Sequence, residues 1–276
     1  MNGYSHAATR HGASGGWRRR CAIALFLLLL GVAGLFASVV LVPPEGVLIL
    51  EYHKINDWSH DAYTVPPAEF AAQMDELLAR GYTTISLVDF LRAKKGKEPL
   101  PEKPLILTFD DGYIDNYTDM LPILEERGMK GTVFMVTNNI GRPGYLSWNA
   151  LKDMQTRGIE IGSHTANHIP LTEMPPAEAD NELRVSKLIM EWNGVPGIFG
   201  FSYPNGKYED YLLDLLKQND YLAAVTGDPG LNTMETNPYL LQRLNIPRPK
   251  WGLTEFRLRL YKAALCARLG LWSHRE

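Results

Sequence analysis

Two short stretches about fifty residues apart hold residue types that do chemistry together: Thr108-Phe109-Asp110-Asp111-Gly112 and Ser163-His164-Thr165-Ala166-Asn167-His168. Adjacent carboxylates in the first and two imidazoles in the second offer oxygen and nitrogen ligands to a divalent metal, with a carboxylate to spare for proton transfer. Two histidines and one carboxylate leave coordination positions open, which is the pattern of catalytic rather than structural zinc. The chemistry implied is hydrolysis. Taken singly, each stretch has a plainer explanation: aspartates capping the segment that starts at Tyr113, and histidines on a surface loop. Their joint placement on one predicted face argues for a site.

That face depends on the elements around it. Each stretch follows an apolar run that reads as a buried strand, residues 104–107 and 158–162. Helical periodicity covers 67–80, where Phe70, Met74, Leu77 and Leu78 share a face between Pro67 and Gly81. Further helices are expected over 88–95, 119–127, 148–157, 176–193 and 208–219. Strands are expected over 47–52, 83–87, 105–109, 131–136, 159–161, 198–202, 221–225 and 241–246. Strands alternating with helices at this spacing imply a mainly parallel sheet. The fold class is α/β, a closed or distorted (β/α)7-8 barrel, with an open doubly wound sheet as the alternative. A barrel puts its chemistry at the C-terminal ends of strands, where both stretches fall.

The ends of the chain carry other signals. Residues 21–42 form an uncharged apolar run, long enough as a helix to cross a bilayer core. Arg18, Arg19 and Arg20 precede it, so the expectation is a cytoplasmic tail (1–20), a single transmembrane anchor (21–42) and an extracytoplasmic domain (43–276) at a cytoplasmic membrane. A cleaved signal peptide is the competing reading, although its apolar core is ordinarily shorter. The chain has 28 basic and 31 acidic residues; the first 42 hold four arginines and no acids, leaving 24 against 31 and a net charge of −7 beyond them. No nucleic-acid footprint is present. Cys21 and Cys266 are not expected to pair. A last helix, about 252–272, carries Phe256, Leu260, Ala263, Ala267 and Leu271 on one stripe, to pack on the barrel or to lie on a membrane surface.

The two stretches, together with the Phe201-Ser202-Tyr203-Pro204-Asn205-Gly206 turn, resemble the polysaccharide deacetylase family, carbohydrate esterase family 4, over most of residues 45–250. The resemblance implies that Asp111, His164 and His168 bind one divalent metal, zinc first and cobalt, nickel or iron behind it. It implies that Asp110 is the general base and that the Tyr203 backbone N–H helps to stabilise the oxyanion. The chain departs from the commoner family pattern in two places. Residues 200–204 lack the arginine that orients the base, and the late strand lacks the histidine that acts as general acid.

Elimination among seven histidines leaves His53 and His60; His53, directly after the first strand, is the candidate acid, since His60 sits in a polar loop, with a place in a rim hydrogen-bond network as the alternative. Arg243, at the end of the late strand, is the candidate for the missing arginine, with an unrelated salt bridge as the alternative. Tyr-His after the first strand together with Phe-Ser-Tyr-Pro resembles the subgroup that deacetylates poly-β-1,6-N-acetylglucosamine. Trp148 is a candidate stacking surface for sugar, against ordinary core packing. The expected activity is removal of acetyl groups from an N-acetylglucosamine polymer, poly-β-1,6-N-acetylglucosamine or peptidoglycan, with exopolysaccharide synthesis or export proteins as a further partner class. The alternative is a catalytically weak barrel that binds glycan in such an assembly.

Overall fold

The computed structural model describes residues 15–41 and 46–272, and side chains within 16–34 and 46–272. Residues 1–14 of the expected tail, the spacer 43–45 and His274 lie outside the described residues. The chain divides into two compact units, Met1–Pro43 and Pro44–Glu276. In the first, helix α1 (Gly15–Leu41) carries the apolar run. Among the described residues no helix is long and apolar enough to cross a membrane. The described side chains of α1 include three arginines, and residues 35–42 of the expected span fall outside them.

In the second unit, β1 (Leu48–Tyr52) runs into a loop holding a small pair, β2 (Lys54–Ile55) and β3 (Thr64–Val65). There follow α2 (Pro67–Ala79), β4 (Thr83–Thr84), α3 (Leu87–Lys94), β5 (Pro104–Asp111), a π-helical turn at Asn116–Met120, α4 (Leu121–Glu126) and β6 (Thr132–Met135). The rest is α5 (Trp148–Thr156), β7 (Glu160–Ser163), α6 (Pro176–Trp192), β8 (Gly200–Ser202), α7 (Asp210–Gln218), β9 (Ala223–Val225), β10 (Leu244–Asn245) and α8 (Leu253–Arg268).

The sheet order is β10-β1-β5-β6-β7-β8-β9, every neighbour parallel, with β4 beside the first two residues of β5. From β1 onward each strand on this path adds to the same edge. A doubly wound sheet reverses that order at a switch point, so the sheet is a curled barrel and the open alternative is excluded. The segment before β10 brings the edges together: Leu241 bridges Val225 in parallel and Thr226 N–H donates to its carbonyl at 2.8 Å, while Leu244 pairs with Leu50. Only a few residues make that closure, hence a distorted barrel.

Strand alternation sorts the side chains. Leu48, Leu50 and Tyr52 of β1, with Leu105, Leu107 and Phe109 of β5, face the helices and join the larger hydrophobic core. Ile49, Ile106, Phe134, Val225 and Leu241 point the other way and fill the barrel with Leu87 and Phe90 of α3. Phe134 fits there because Gly162 leaves room; a Cβ at 162 would meet its Cδ1 at 2.5 Å. The next inward positions towards the strand ends are Glu51, Thr108, Asp110, Ser202 and Arg243. A layer of apolar side chains therefore gives way to a polar one on the face where the chemistry was expected. At the opposite end, half-buried Glu160 accepts N–H bonds from Leu87 and Val88, tying the start of α3 to the barrel.

Helix α8 is shorter than expected. It buries Phe256, Leu260 and Ala263, and meets α2 through Arg257–Glu76 at 2.7 Å and Arg80–Tyr261 at 3.1 Å. Leu271, expected on its stripe, lies past the helix and is exposed. Helix 119–127 was expected as one α-helix; it begins earlier, as the π-turn at Asn116, because the chain must first turn back over the end of β5. Cys21 and Cys266 are both free.

Candidate active site

Strand β5 ends on Asp110 and Asp111, whose side chains alternate. Asp110 points inward and is buried, whereas Asp111 sits at the rim with φ of 75°, a conformation that costs a non-glycine residue energy. Gly112 follows at φ of 76°, and a Cβ there would lie 2.0 Å from Met135 Sδ, so any other residue would be strained and would displace the Met135 side chain. The strained pair swings the Asp111 carboxylate towards the end of β7.

The loop after β7 presents both histidines. Thr165 and His168 adopt left-handed backbone at φ of 64° and 61°, and Thr165 Oγ1 accepts the His168 N–H at 2.8 Å. Glu182 of α6, which the sequence did not flag, accepts the N–H groups of Ala166 and Asn167 at 3.0 Å each and pins the loop. His164 is buried, with Nδ1 2.7 Å from the Ser202 carbonyl. That contact puts the proton on Nδ1 and leaves the Nε2 lone pair facing outward.

His164 Nε2 lies 3.7 Å and His168 Nε2 3.3 Å from Asp111 Oδ1. A tetrahedral ion with bonds of about 2.1 Å holds its ligands about 3.4 Å apart. One donor atom from each of Asp111, His164 and His168 falls within 4.8 Å of the others, so the set fits a divalent cation. Burial pushes the His164 imidazole towards its neutral, ligating form, against the pull of Asp110 and Asp111.

Arg243 reaches Asp110 from across the barrel closure. Its Nη1 and Nη2 donate to the two carboxylate oxygens at 2.9 Å each, a bidentate pair. Nε donates to the Thr226 carbonyl at 2.9 Å, Nη2 to Ser202 Oγ at 3.1 Å and Nη1 to Thr108 Oγ1 at 3.3 Å. Ser202 Oγ in turn donates to Asp110 at 3.0 Å. Burial would raise the Asp110 carboxyl, but the Arg243 charge, with His164 and these hydrogen bonds, outweighs it and holds Asp110 well below the usual carboxylate range. Burial likewise disfavours the guanidinium, and Asp110 and Glu51 more than offset that.

His53 lines the same cavity of about 430 Å³, with the metal-donor set and Arg243. Its carbonyl accepts from Asn116 Nδ2 at 2.9 Å, so the π-turn anchors it. Glu51, His53 and Asp110 each offer an atom within 4.8 Å of the others. Glu51, Thr108, Ser202 and Asn116 were not singled out from sequence. The one available signal was a carboxylate ending the apolar run 47–50.

Trp148 meets a different arrangement, and Tyr203 lines the cavity with its N–H engaged in the sheet. Trp148 opens α5, packs half-buried against the outer core and does not line the cavity, because Ser147 caps the helix and turns the indole towards the helix layer. The Tyr203 N–H donates to the Val225 carbonyl at 3.2 Å, extending the β8–β9 ladder, so in this conformation it is taken by the sheet. The Tyr203 ring is buried in the outer core, its hydroxyl on the Tyr239 carbonyl.

A barrel with a two-histidine, one-carboxylate donor set beside a buried carboxylate defines a hydrolase of the polysaccharide deacetylase class. The polysaccharide deacetylase family model matches residues 97–224. The Bacillus subtilis protein YxkH, named for the same family, is 35% identical over 204 residues, covering 74% of this chain and 72% of that protein. The chain belongs to the polysaccharide deacetylase family. The poly-beta-1,6-N-acetyl-D-glucosamine N-deacetylase of Escherichia coli K12 is 27% identical over 143 residues, 45% of this chain but only 21% of that protein. The structure of the Streptococcus pyogenes deacetylase PplD in complex with acetate superposes with a TM-score of 0.72 at 27% identity, covering 79% of this chain and 99% of that one.

Proposed function

We propose that this protein is a metal-dependent N-deacetylase anchored through residues 21–42, acting outside the cytoplasmic membrane on an N-acetylglucosamine polymer, poly-β-1,6-N-acetylglucosamine first and peptidoglycan second. The observation that carries the reading is the convergence of the Asp111, His164 and His168 donors on a carboxylate gripped by a buried guanidinium, with an imidazole facing it. The relative from Escherichia coli supports the choice of polymer.

Asp111, His164 and His168 would hold the ion, zinc by the nitrogen-rich donor set, with cobalt, nickel or iron as substitutes. What a divalent metal supplies in such a place is polarisation of a carbonyl and a lowered pKa for water. Asp110, kept ionised by Arg243 and aimed by Ser202, takes a proton from the attacking water. His53 gives a proton to the amine nitrogen as the C–N bond breaks, since an amine leaves poorly as an anion. The products are acetate and a free amine, which makes the polymer cationic.

Acetate release by the full-length protein tests the reading, with β-1,6- and β-1,4-linked N-acetylglucosamine oligomers, with metal and after chelation. The expected result is metal-dependent release, lost in Asp110→Asn and reduced about 10²-fold in His53→Ala. Stoichiometric metal and glycan binding without acetate release from any oligomer would replace it with the glycan-binding barrel. Protease access to the domain in intact and permeabilised cells tests the anchor.

A further inference from the structure

Asparagine is an uncommon residue for the strand that closes the barrel. Its side chain competes with the ladder for backbone hydrogen bonds, and strands are depleted in it. Asn245 is nevertheless the last residue of β10, paired with Glu51 of β1, and the next N–H, of Ile246, donates to the Glu51 carbonyl at 2.9 Å. Its neighbour Leu244 packs on the outer core, so alternation turns Asn245 inward, one layer nearer the mouth than Arg243. There it lines the cavity and is exposed. Among the described residues its carboxamide has no hydrogen-bond partner. Asn205 offers a contrast. It lines the same cavity but sits at φ of 57° in the turn after β8, backbone that asparagine tolerates better than most residues. The turn accounts for Asn205, whereas nothing in the fold calls for a carboxamide at 245.

Position says which part of a substrate Asn245 would meet. The acetyl carbonyl belongs beside the donors of β5 and the loop after β7, and the amine at His53, just past β1. Strand β10 flanks β1 on the side away from β5. The order across the mouth is therefore metal donors, imidazole, carboxamide, and what lies past the amine is the sugar ring. The ring atoms next to the amine-bearing C2 are C1 and C3. The C1 oxygen is part of the glycosidic bond and can only accept. The 3-hydroxyl is free in N-acetylglucosamine whether the linkage is β-1,6 or β-1,4, and it both donates and accepts. A carboxamide, itself donor and acceptor, matches it.

We infer that Asn245 is a specificity-determining residue, hydrogen-bonded to the free 3-hydroxyl of the N-acetylglucosamine unit that loses its acetyl group. The inference rests on the N-deacetylase reading above. A unit with an ether at O3, as in N-acetylmuramic acid, has no proton to donate there and brings added bulk against the carboxamide. Asn245 therefore selects N-acetylglucosamine units over such neighbours.

The test pairs an N-acetylglucosamine oligomer with its 3-deoxy analogue on the metal-loaded full-length protein. Wild type is expected to favour the hydroxylated oligomer about tenfold in kcat/KM. Asn245→Ala removes no hydrogen bond within the protein and no metal donor. It should lose about tenfold on the hydroxylated oligomer and less than about twofold on the analogue, which serves as the internal control for folding and metal content. Wild type that does not discriminate, a variant that still does, or an equal loss on both substrates would overturn the role. Wild type that releases no acetate from either oligomer would instead defeat the N-deacetylase reading on which the role rests.

Discussion

The two sides of the cavity are built in opposite ways. The donor side comes from two short stretches on strands one removed from each other, and much of its geometry is local: strained backbone at Asp111, Thr165 and His168, and a histidine loop pinned by Glu182. The proton-handling side draws Glu51 from β1 and His53 from just beyond it, Asp110 and Thr108 from β5, Ser202 from β8 and Arg243 from the segment that closes the barrel. Local strain can be written into a motif, whereas a network of buried charges exists only once the barrel has closed. The two sides should therefore fail differently.

The largest effect is expected on the proton-handling side. Asp110→Asn should lower kcat for acetate release about 10³-fold while bound metal, measured by elemental analysis, stays stoichiometric. Retained activity would erase the distinction between the sides. On the donor side, His164→Ala should lose metal in a calorimetric titration. It should also destabilise by about 1–3 kcal/mol in thermal unfolding, because the Ser202 carbonyl loses its donor. His168→Ala, whose side chain is 37% exposed, should lose metal affinity with little change in stability.

Arg243→Gln sharpens the contrast. It strands buried Asp110 and half-buried Glu51, so stability should fall by about 3–5 kcal/mol and kcat by about 10²-fold, with metal still bound. The pH dependence follows from the sign of the Asp110 shift. In the wild type the depressed carboxyl contributes stability that is complete above the ordinary carboxylate range and is lost as pH falls through the depressed value. Without the guanidinium, the burial that raises Asp110 is opposed only by the weaker pull of the remaining neighbours, His164 and Ser202 among them, so acid unfolding should begin at higher pH and the acid limb of kcat/KM should move up. The smallest effect is expected from Trp148→Ala, outside both sides. Oligomer kinetics should change less than about twofold, and the measurable loss should be in unfolding, by about 1–3 kcal/mol. A large rise in KM would return Trp148 to the site.

Much of the donor side was legible because its residues are few, chemically unusual and close in sequence. Asp110, Asp111, His164 and His168 could be named before any fold. Arg243 and His53 could be named only by asking which residues stand where the family's usual arginine and histidine are missing, and the structure brings both into the cavity. Glu51 and Ser202 were passed over: a glutamate ending an apolar run and a serine in a turn have ordinary explanations. Trp148 packs on the outer core, the plainer of its two readings, because an aromatic next to a motif in sequence can point to either layer once a helix begins at it. For Tyr203, pattern could not foresee that its N–H would extend a strand ladder.

The sequence by itself determined the α/β alternation, the parallel strands and the pairing of carboxylates with imidazoles at strand ends. Strand and helix periods and ligand chemistry are properties of short segments. Tertiary structure alone decided that the sheet closes as a barrel rather than lying open, and that closure at residues 241–244 carries Arg243 onto Asp110. A buried guanidinium is tolerated only where its partners already stand, and here they come from strands far apart in the chain.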